Sequence, residues 1–144
     1  MEKIDIVLAS GSPRRKELME REGVEFTVRV SEVDESLEPD LLRQPEEAAK
    51  KLAERKARAV LEEMLNEAYV GTAMVVGADT MVVADGVIYG KPEDEADARR
   101  ILGELSGRAH QVITGVSVWL AGAPANEEDI SIAFRSFAET SHVF

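Results

Sequence analysis

Cysteine is absent from this chain, which excludes a disulfide framework, a zinc site built on cysteine and a thiol nucleophile. Basic residues are few: 17 Lys and Arg stand against 28 Asp and Glu, for a net charge of −11. A chain of that balance lacks the cationic field that displaces counterions from a phosphate backbone, so no nucleic-acid partner is expected. Long apolar runs are missing as well. None approaches the roughly 18 residues of a membrane span, and Met1-Glu2-Lys3-Ile4-Asp5 lacks the layout of a signal peptide. The expectation is a cytoplasmic protein with no membrane partner. Gly and Pro, 10 and 5 of 144 residues, are too sparse for a collagenous or disordered class. What is present suits one domain over 1–144, with 44% of residues apolar and 31% charged. Monomer scaling at this mass gives a folded surface of about 7,300 Å², roughly a third of that of the unfolded chain, which leaves enough buried area for a core.

The pattern along the chain alternates strands and helices. Ile4–Ala9 reads as a buried strand, bounded by Ser10-Gly11-Ser12-Pro13. Ser12 is a good N-cap, Pro13 fits the first helical position and Gly23 a stop, which predicts a helix over 13–22. Val24 to Val33 reads as a second strand running into the acidic stretch 32–38. Pro45 opens the longest helix, to about Ala68, with an apolar stripe of Ala49, Leu52, Ala53, Ala57, Val60, Leu61 and Met64. Ala73–Ala78 is a continuous apolar strand ending at Asp79, and Met81–Ile88 around Asp85-Gly86 signals a hairpin. A helix over 92–105, with Asp94 as cap and Gly107 as stop, precedes a strand over 112–120. A polar loop over 122–129 then leads to a weakly alternating segment from Ile130 to Phe144. The order β-α-β-α-β-β-β-α-β-β is α/β with a mixed sheet flanked by helices.

Several positions suit anion chemistry. Ser10-Gly11-Ser12-Pro13-Arg14-Arg15 sits between strand and helix, where free N–H groups and a positive dipole end favour anions. The dipole disfavours Arg14 and Arg15 in that first turn unless a phosphate is bound. A capped helix with solvated arginines is the plain alternative. Lys56 falls on the apolar stripe of its own helix, so it either snorkels or faces a cleft. A neutral isostere there should remove a desolvation cost. Gly77-Ala78-Asp79-Thr80 follows the most apolar strand, a place where ligands collect in open α/β sheets, although taken alone a turn-forming Asp is the better reading. Lys91 lies in a rigid Gly90-Lys91-Pro92 turn that solvation alone would explain. Asp34 and Glu35 lie in the acidic loop, and carboxylates from separate loops can share Mg²⁺ with a substrate phosphate. His110 and His142 have no metal-site spacing. An anion loop, two isolated lysines and carboxylates at strand ends together are what Mg²⁺-assisted hydrolysis of a polyphosphate needs.

Leu8-Ala9-Ser10-Gly11-Ser12-Pro13-Arg14-Arg15-Lys16-Glu17-Leu18 resembles the opening motif of the Maf family of nucleoside triphosphate pyrophosphatases. Leu52-Ala53-Glu54-Arg55-Lys56-Ala57, Val76-Gly77-Ala78-Asp79-Thr80, Gly90-Lys91-Pro92 and Leu105-Ser106-Gly107-Arg108 with Gln111-Val112-Ile113-Thr114-Gly115-Val116 follow in family order. The resemblance spans essentially the whole chain. It implies an inosine-triphosphatase-like fold with two lobes around a cleft, usually a homodimer. It also implies cleavage of a nucleoside triphosphate between its α and β phosphates. Substrate contacts are then expected from Ser10, Ser12, Arg14, Arg15, Lys56, Thr80 and Lys91, and catalysis from Asp79. A divalent metal (Mg²⁺, with Mn²⁺ or Co²⁺ as alternatives) is expected on Glu35 and Asp79. Arg14 and Thr80 resemble the subgroup that prefers dTTP and UTP to methylated GTP. Family members continue well past a position like Phe144, through a segment whose glutamine contacts the base, so this chain reads as truncated at its C-terminal side. Two other classes stay open: a nucleotide-binding regulatory module that does not turn over, and a fragment that needs a partner chain.

Overall fold

The computed structural model describes residues 3–89, 94–124 and 130–143. Its elements are β1 (Ile4–Ala9), α1 (Pro13–Arg21), β2 (Thr27–Val28), α2 (Pro39–Leu42), α3 (Pro45–Asn66), β3 (Gly71–Ala84), β4 (Val87–Tyr89), α4 (Glu95–Leu105), β5 (His110–Ala123) and β6 (Ser131–Val143). They form one mixed six-stranded sheet of order β2-β1-β3-β5-β6, with β4 also on β3. β1 runs parallel to β2 and β3, while β4 and β5 run antiparallel to β3 and β6 to β5. The expected mixed α/β architecture is therefore present. No helix among the described residues is long and apolar enough to cross a membrane.

Local signals set most of these elements. The Ser12 side chain caps α1 by accepting from the Arg15 amide, and Asp94 caps α4 by accepting from the Asp97 amide at 2.7 Å. Asp85 and Gly86 both have positive φ, 50° and 76°, as the tight β3–β4 hairpin requires. Four elements depart from expectation. β2 shrinks to two residues because β1 gives way to the Ser10–Ser12 turn and offers few backbone partners; Val7 and Leu8 pair with Thr27 and Val28. The short α2, with Pro39 in its first turn, interrupts what the sequence suggested was only acidic loop. β3 does not stop at Asp79 but runs on to Ala84, because β5 pairs with it from Gly71 to Val83. Likewise Gly122 and Ala123 belong to β5 rather than to a loop, with Gly122 paired to Ser131.

Alternation divides the sheet into two faces. α3 covers one, burying Ala57, Val60, Leu61 and Met64 against Val7, Val75 and Ala121. Glycine makes this approach close: a Cβ on Gly77 would lie 2.3 Å from the Ala53 carbonyl oxygen, and one on Gly115 equally near the Ala49 carbonyl. The other face is thinly covered. α1 buries no residue completely, and Leu18, Leu120 and Phe137 stand about half exposed (48%, 42% and 49%). The accessible surface, 9542 Å², accordingly exceeds the about 7,300 Å² expected for a compact monomer of this mass.

One contact beside the core makes stability depend on pH. The Tyr69 hydroxyl donates to Asp5 Oδ2 at 2.5 Å, and burial, reinforced by that bond and charge, pushes its pKa up to about 12. In the unfolded chain it titrates near its ordinary value of about 10. The folded state thus holds the proton longer, and the stabilisation is complete below about pH 10 and lost as pH rises toward about 12. Urea unfolding followed from pH 9 upward should show this decline, and Tyr69→Phe should flatten it. An equally steep decline in the variant would remove Tyr69 as its source.

Candidate active site

β3 has two partners on the same edge, β1 along 72–77 and β4 along 82–84. Between them, among the described residues, no strand pairs with this edge at Ala78–Met81, although β5 holds its other side. Asp79 therefore stands where the parallel partner ends, even though its own strand continues. Successive residues face opposite sides, so Asp79 points to the α3 face and Thr80 to the α1 face.

Each helix sends one cation to this gap. From α3, Lys56 Nζ donates to Asp79 Oδ1 at 2.7 Å and lies 3.4 Å from Glu35 Oε1. The Lys56 and Asp79 side chains are only 17% and 10% exposed. The lysine on the apolar stripe therefore does not snorkel to bulk water: it is paired in the cleft floor. From α1, Arg15 donates through Nη2 to Thr80 Oγ1 at 2.6 Å and through Nη1 to Ser10 Oγ at 3.1 Å. Burial holds its guanidinium below the ordinary value, and Asp79 partly offsets this. A cation that has already lost much of its water gains most from an anionic ligand. Ser10 is buried, and its hydroxyl also accepts from the Ser12 amide at 3.2 Å, which holds the turn.

These groups line an open cleft of about 800 Å³ that includes Ser10, Ser12, Arg15, Glu35, Lys56, Asp79 and Thr80. One wall is the segment after β2, Val30–Val33 and Glu35; the other is the Ser10–Ser12 turn with Asp79 and Thr80 of β3. Cations on two sides, a carboxylate on the floor and a turn at a helix start suit a bound polyphosphate.

The family model for Maf-like protein matches residues 5–143. The chain belongs to the Maf family. It is similar to the dTTP/UTP pyrophosphatase of Symbiobacterium thermophilum, with 51% identity over 114 residues, 78% of this chain and 54% of that one. The dTTP/UTP pyrophosphatases of Citrifermentans bemidjiense and Moorella thermoacetica are 45% and 44% identical, over 83% and 89% of this chain and 58% and 61% of theirs. The Maf chain thus spans between half and two-thirds of the length of these curated relatives. The solved Ham1 protein of Staphylococcus aureus superposes with a TM-score of 0.45 at 16% identity, covering 94% of this chain and 70% of that one.

Not every expected residue of this Maf chain meets in the cleft. Arg14 is exposed and borders neighbouring hollows with Glu17, Leu18 and Arg21 instead. The reason is helical: consecutive residues are turned by about 100°, so only one of the two arginines can face the gap. Lys91 lies outside the described residues. Asp34 turns from the site to accept from the Ser36 amide at 2.9 Å, and hydrogen bonds from Ser36 lower its pKa. His110 and His142 border a separate hollow near Asp85. Sequence reading missed Thr114, whose hydroxyl lies 3.1 Å from Thr80 Oγ1, and Arg55, which donates to two carbonyls of the acidic loop. Thr114 lies within the 111–116 motif, but only the β3–β5 register sets it opposite Thr80.

Proposed function

We propose that this chain hydrolyses the α–β phosphate bond of dTTP, UTP or modified nucleoside triphosphates, yielding the monophosphate and pyrophosphate. The observation that carries the reading is the Lys56–Asp79 pair on the floor of a cleft whose opposite wall is the Arg15–Ser10 anchor. The similarity to proteins named dTTP/UTP pyrophosphatase supports the choice of nucleotide.

In this reading Arg15, Ser10 and the Ser12 turn hold the phosphates, and Lys56 neutralises them from the other side. Asp79 takes a proton from a water molecule as its oxygen bonds to the α phosphorus. The bond from that phosphorus to the α–β bridging oxygen breaks, and pyrophosphate leaves with the bridging oxygen. Lys56 keeps the Asp79 carboxylate aimed, and Thr80 keeps Arg15 in place. The residues also fit a divalent cation. Two carboxylates converge on one ammonium, whereas Mg²⁺ commonly takes one or two carboxylates and completes its shell with water and substrate phosphate. Among the described residues no cluster of three or more acidic or histidine side chains forms a cage, so the substrate itself would have to complete the shell. Glu35 and Asp79 would hold Mg²⁺, or Mn²⁺ or Co²⁺ in its place. When bound, that ion would supply positive charge to the phosphate oxygens.

Incubating the chain with Mg²⁺ and dTTP or UTP should release pyrophosphate and monophosphate in equal amounts, without orthophosphate. Nucleotide bound but not cleaved would instead indicate the regulatory module, and no binding at all would indicate a fragment that lacks its partner. A cytoplasmic location, where free nucleotides are the substrate pool, goes with the reading.

We also propose that the partner is a second copy, joined through β6. Among the described residues no strand pairs with the outer edge of β6, and Ile132, Phe134 and Phe137 on it are about half exposed. An unpaired edge of this length is a template for another strand. Its only charges are Arg135 and Glu139, placed symmetrically about Phe137. Antiparallel pairing about a two-fold axis at Phe137 sets each Arg135 opposite the other copy's Glu139. Light scattering should give twice the 15.8 kDa chain mass. Arg135→Glu and Glu139→Arg should each shift the particle to monomer, and the double reversal should restore the dimer. A parent chain that is monomeric, or a double reversal that stays monomeric, overturns this pairing.

A further inference from the structure

The acidic loop carries Glu35 to the site without a helix or strand of its own to hold it there. Glu35 is mostly exposed, the loop has no regular secondary structure, and α2 begins only at Pro39. What anchors its backbone is the residue beside Lys56. Arg55 Nη1 donates to the Asp34 carbonyl at 3.0 Å and to the Ser36 carbonyl at 2.6 Å. Those two carbonyls bracket Glu35. A single terminal nitrogen has two hydrogens, so one guanidinium end grips the backbone on both sides of the carboxylate. The loop tightens the same point from within, where the Asp34 side chain accepts from the Ser36 amide.

The helix supplies both halves of the arrangement. Adjacent positions on α3 are turned by about 100°; Lys56 therefore reaches the cleft floor while Arg55 reaches the loop at its rim. Both stem positions are set by the same packed helix, seated on Gly77 and Gly115. Thus the distance from Glu35 to Lys56 and Asp79 is held by one rigid element rather than by the loop.

We propose that Arg55 is a positioning residue that clamps the 34–36 backbone and so holds the Glu35 carboxylate over the Lys56–Asp79 pair, where a divalent cation binds. The proposal rests on the reading that Glu35 and Asp79 take that cation, and Arg55 itself touches neither substrate nor metal. Partners that orient a metal-binding side chain typically change affinity by about 10- to 100-fold when removed.

The test compares the parent chain with Arg55→Met and Arg55→Lys. Amide hydrogen exchange across 32–38 reports the clamp, and the electron paramagnetic resonance signal of free Mn²⁺ reports the site. Arg55→Met should speed exchange in this segment and weaken Mn²⁺ binding by roughly tenfold or more. Arg55→Lys, with three donors on a shorter stem, should recover part of both. In a Glu35→Gln background, Arg55→Met should cause no further loss of Mn²⁺ affinity. Equal exchange in parent and Arg55→Met overturns the clamp. Faster exchange with unchanged Mn²⁺ affinity, or additive losses with Glu35→Gln, overturns its role at Glu35. No Mn²⁺ binding by the parent chain instead overturns the metal reading, and the exchange comparison still decides the clamp.

Discussion

Replacing Asp79 by asparagine should lower pyrophosphate release by about 10²- to 10⁴-fold, the range for losing a single proton-transfer group. The amide keeps the volume and the ladder position opposite Gly115, so the sheet should form as before. Its oxygen can still accept from Lys56, but it neither takes a proton from water nor offers a charged ligand to a metal. The expected signature is a fall in kcat with triphosphate affinity roughly maintained, because Arg15 and Ser10 are untouched. Lys56 would retain Glu35, 3.4 Å away, as a counter-charge. The stability cost should therefore stay at about 1–3 kcal/mol, below that of a fully buried orphan charge. Steady-state pyrophosphate release and a urea titration settle both halves. A variant that keeps more than about a tenth of the parent turnover would remove Asp79 from the chemistry.

Lys56→Met should have the opposite kinetic signature and a comparable structural one. Losing a charge-assisted contact of about 1.5–3 kcal/mol should weaken triphosphate binding by roughly tenfold to a hundredfold. From the sequence, a neutral isostere on the apolar stripe promised relief from desolvation. The structure reverses that expectation, because Lys56 is the cation that compensates the Asp79 carboxylate, itself only 7% exposed. Removing it leaves that carboxylate without its cation, and the fold should lose about 1–3 kcal/mol at neutral pH. Combining Lys56→Met with Asp79→Asn should recover much of this loss, since the second change removes the orphan charge. Calorimetric titration with a non-hydrolysable triphosphate measures the binding half, and unfolding of the two single variants and the double variant measures the other. Unchanged affinity would make Lys56 a structural cation only. Strictly additive stability losses would mean that the 2.7 Å contact contributes no coupling.

Much of this was legible in residue order, because it depends on neighbours within a turn or two. The Ser12 and Asp94 caps, the Asp85-Gly86 hairpin and the stripe on α3 are local patterns, and the structure has each of them. Lys56 was marked by its misfit with that stripe, and Asp79 by its place after an apolar strand. Arg14 and Arg15 looked alike because a sequence contains no helical phase relative to a cleft. Arg55 looked like an ordinary surface arginine because its partners lie 21 and 19 residues away.

The amino-acid order by itself determined the kind of each main element and the chemistry available: an acidic chain without thiols, a serine-rich turn ahead of two arginines, a lysine on an apolar stripe and a carboxylate after an apolar strand. Only the tertiary structure decided which of these meet. β3 passes Asp79 because β5 supplies hydrogen-bond partners from Gly71 to Val83, while on the opposite edge β1 gives way to a turn beyond Gly77. α3 reaches that edge because Gly77 and Gly115 have no side chain to hold it off. Strand register and helix seating depend on contacts between residues far apart in the chain, and those contacts bring Lys56, Glu35 and Asp79 to one point.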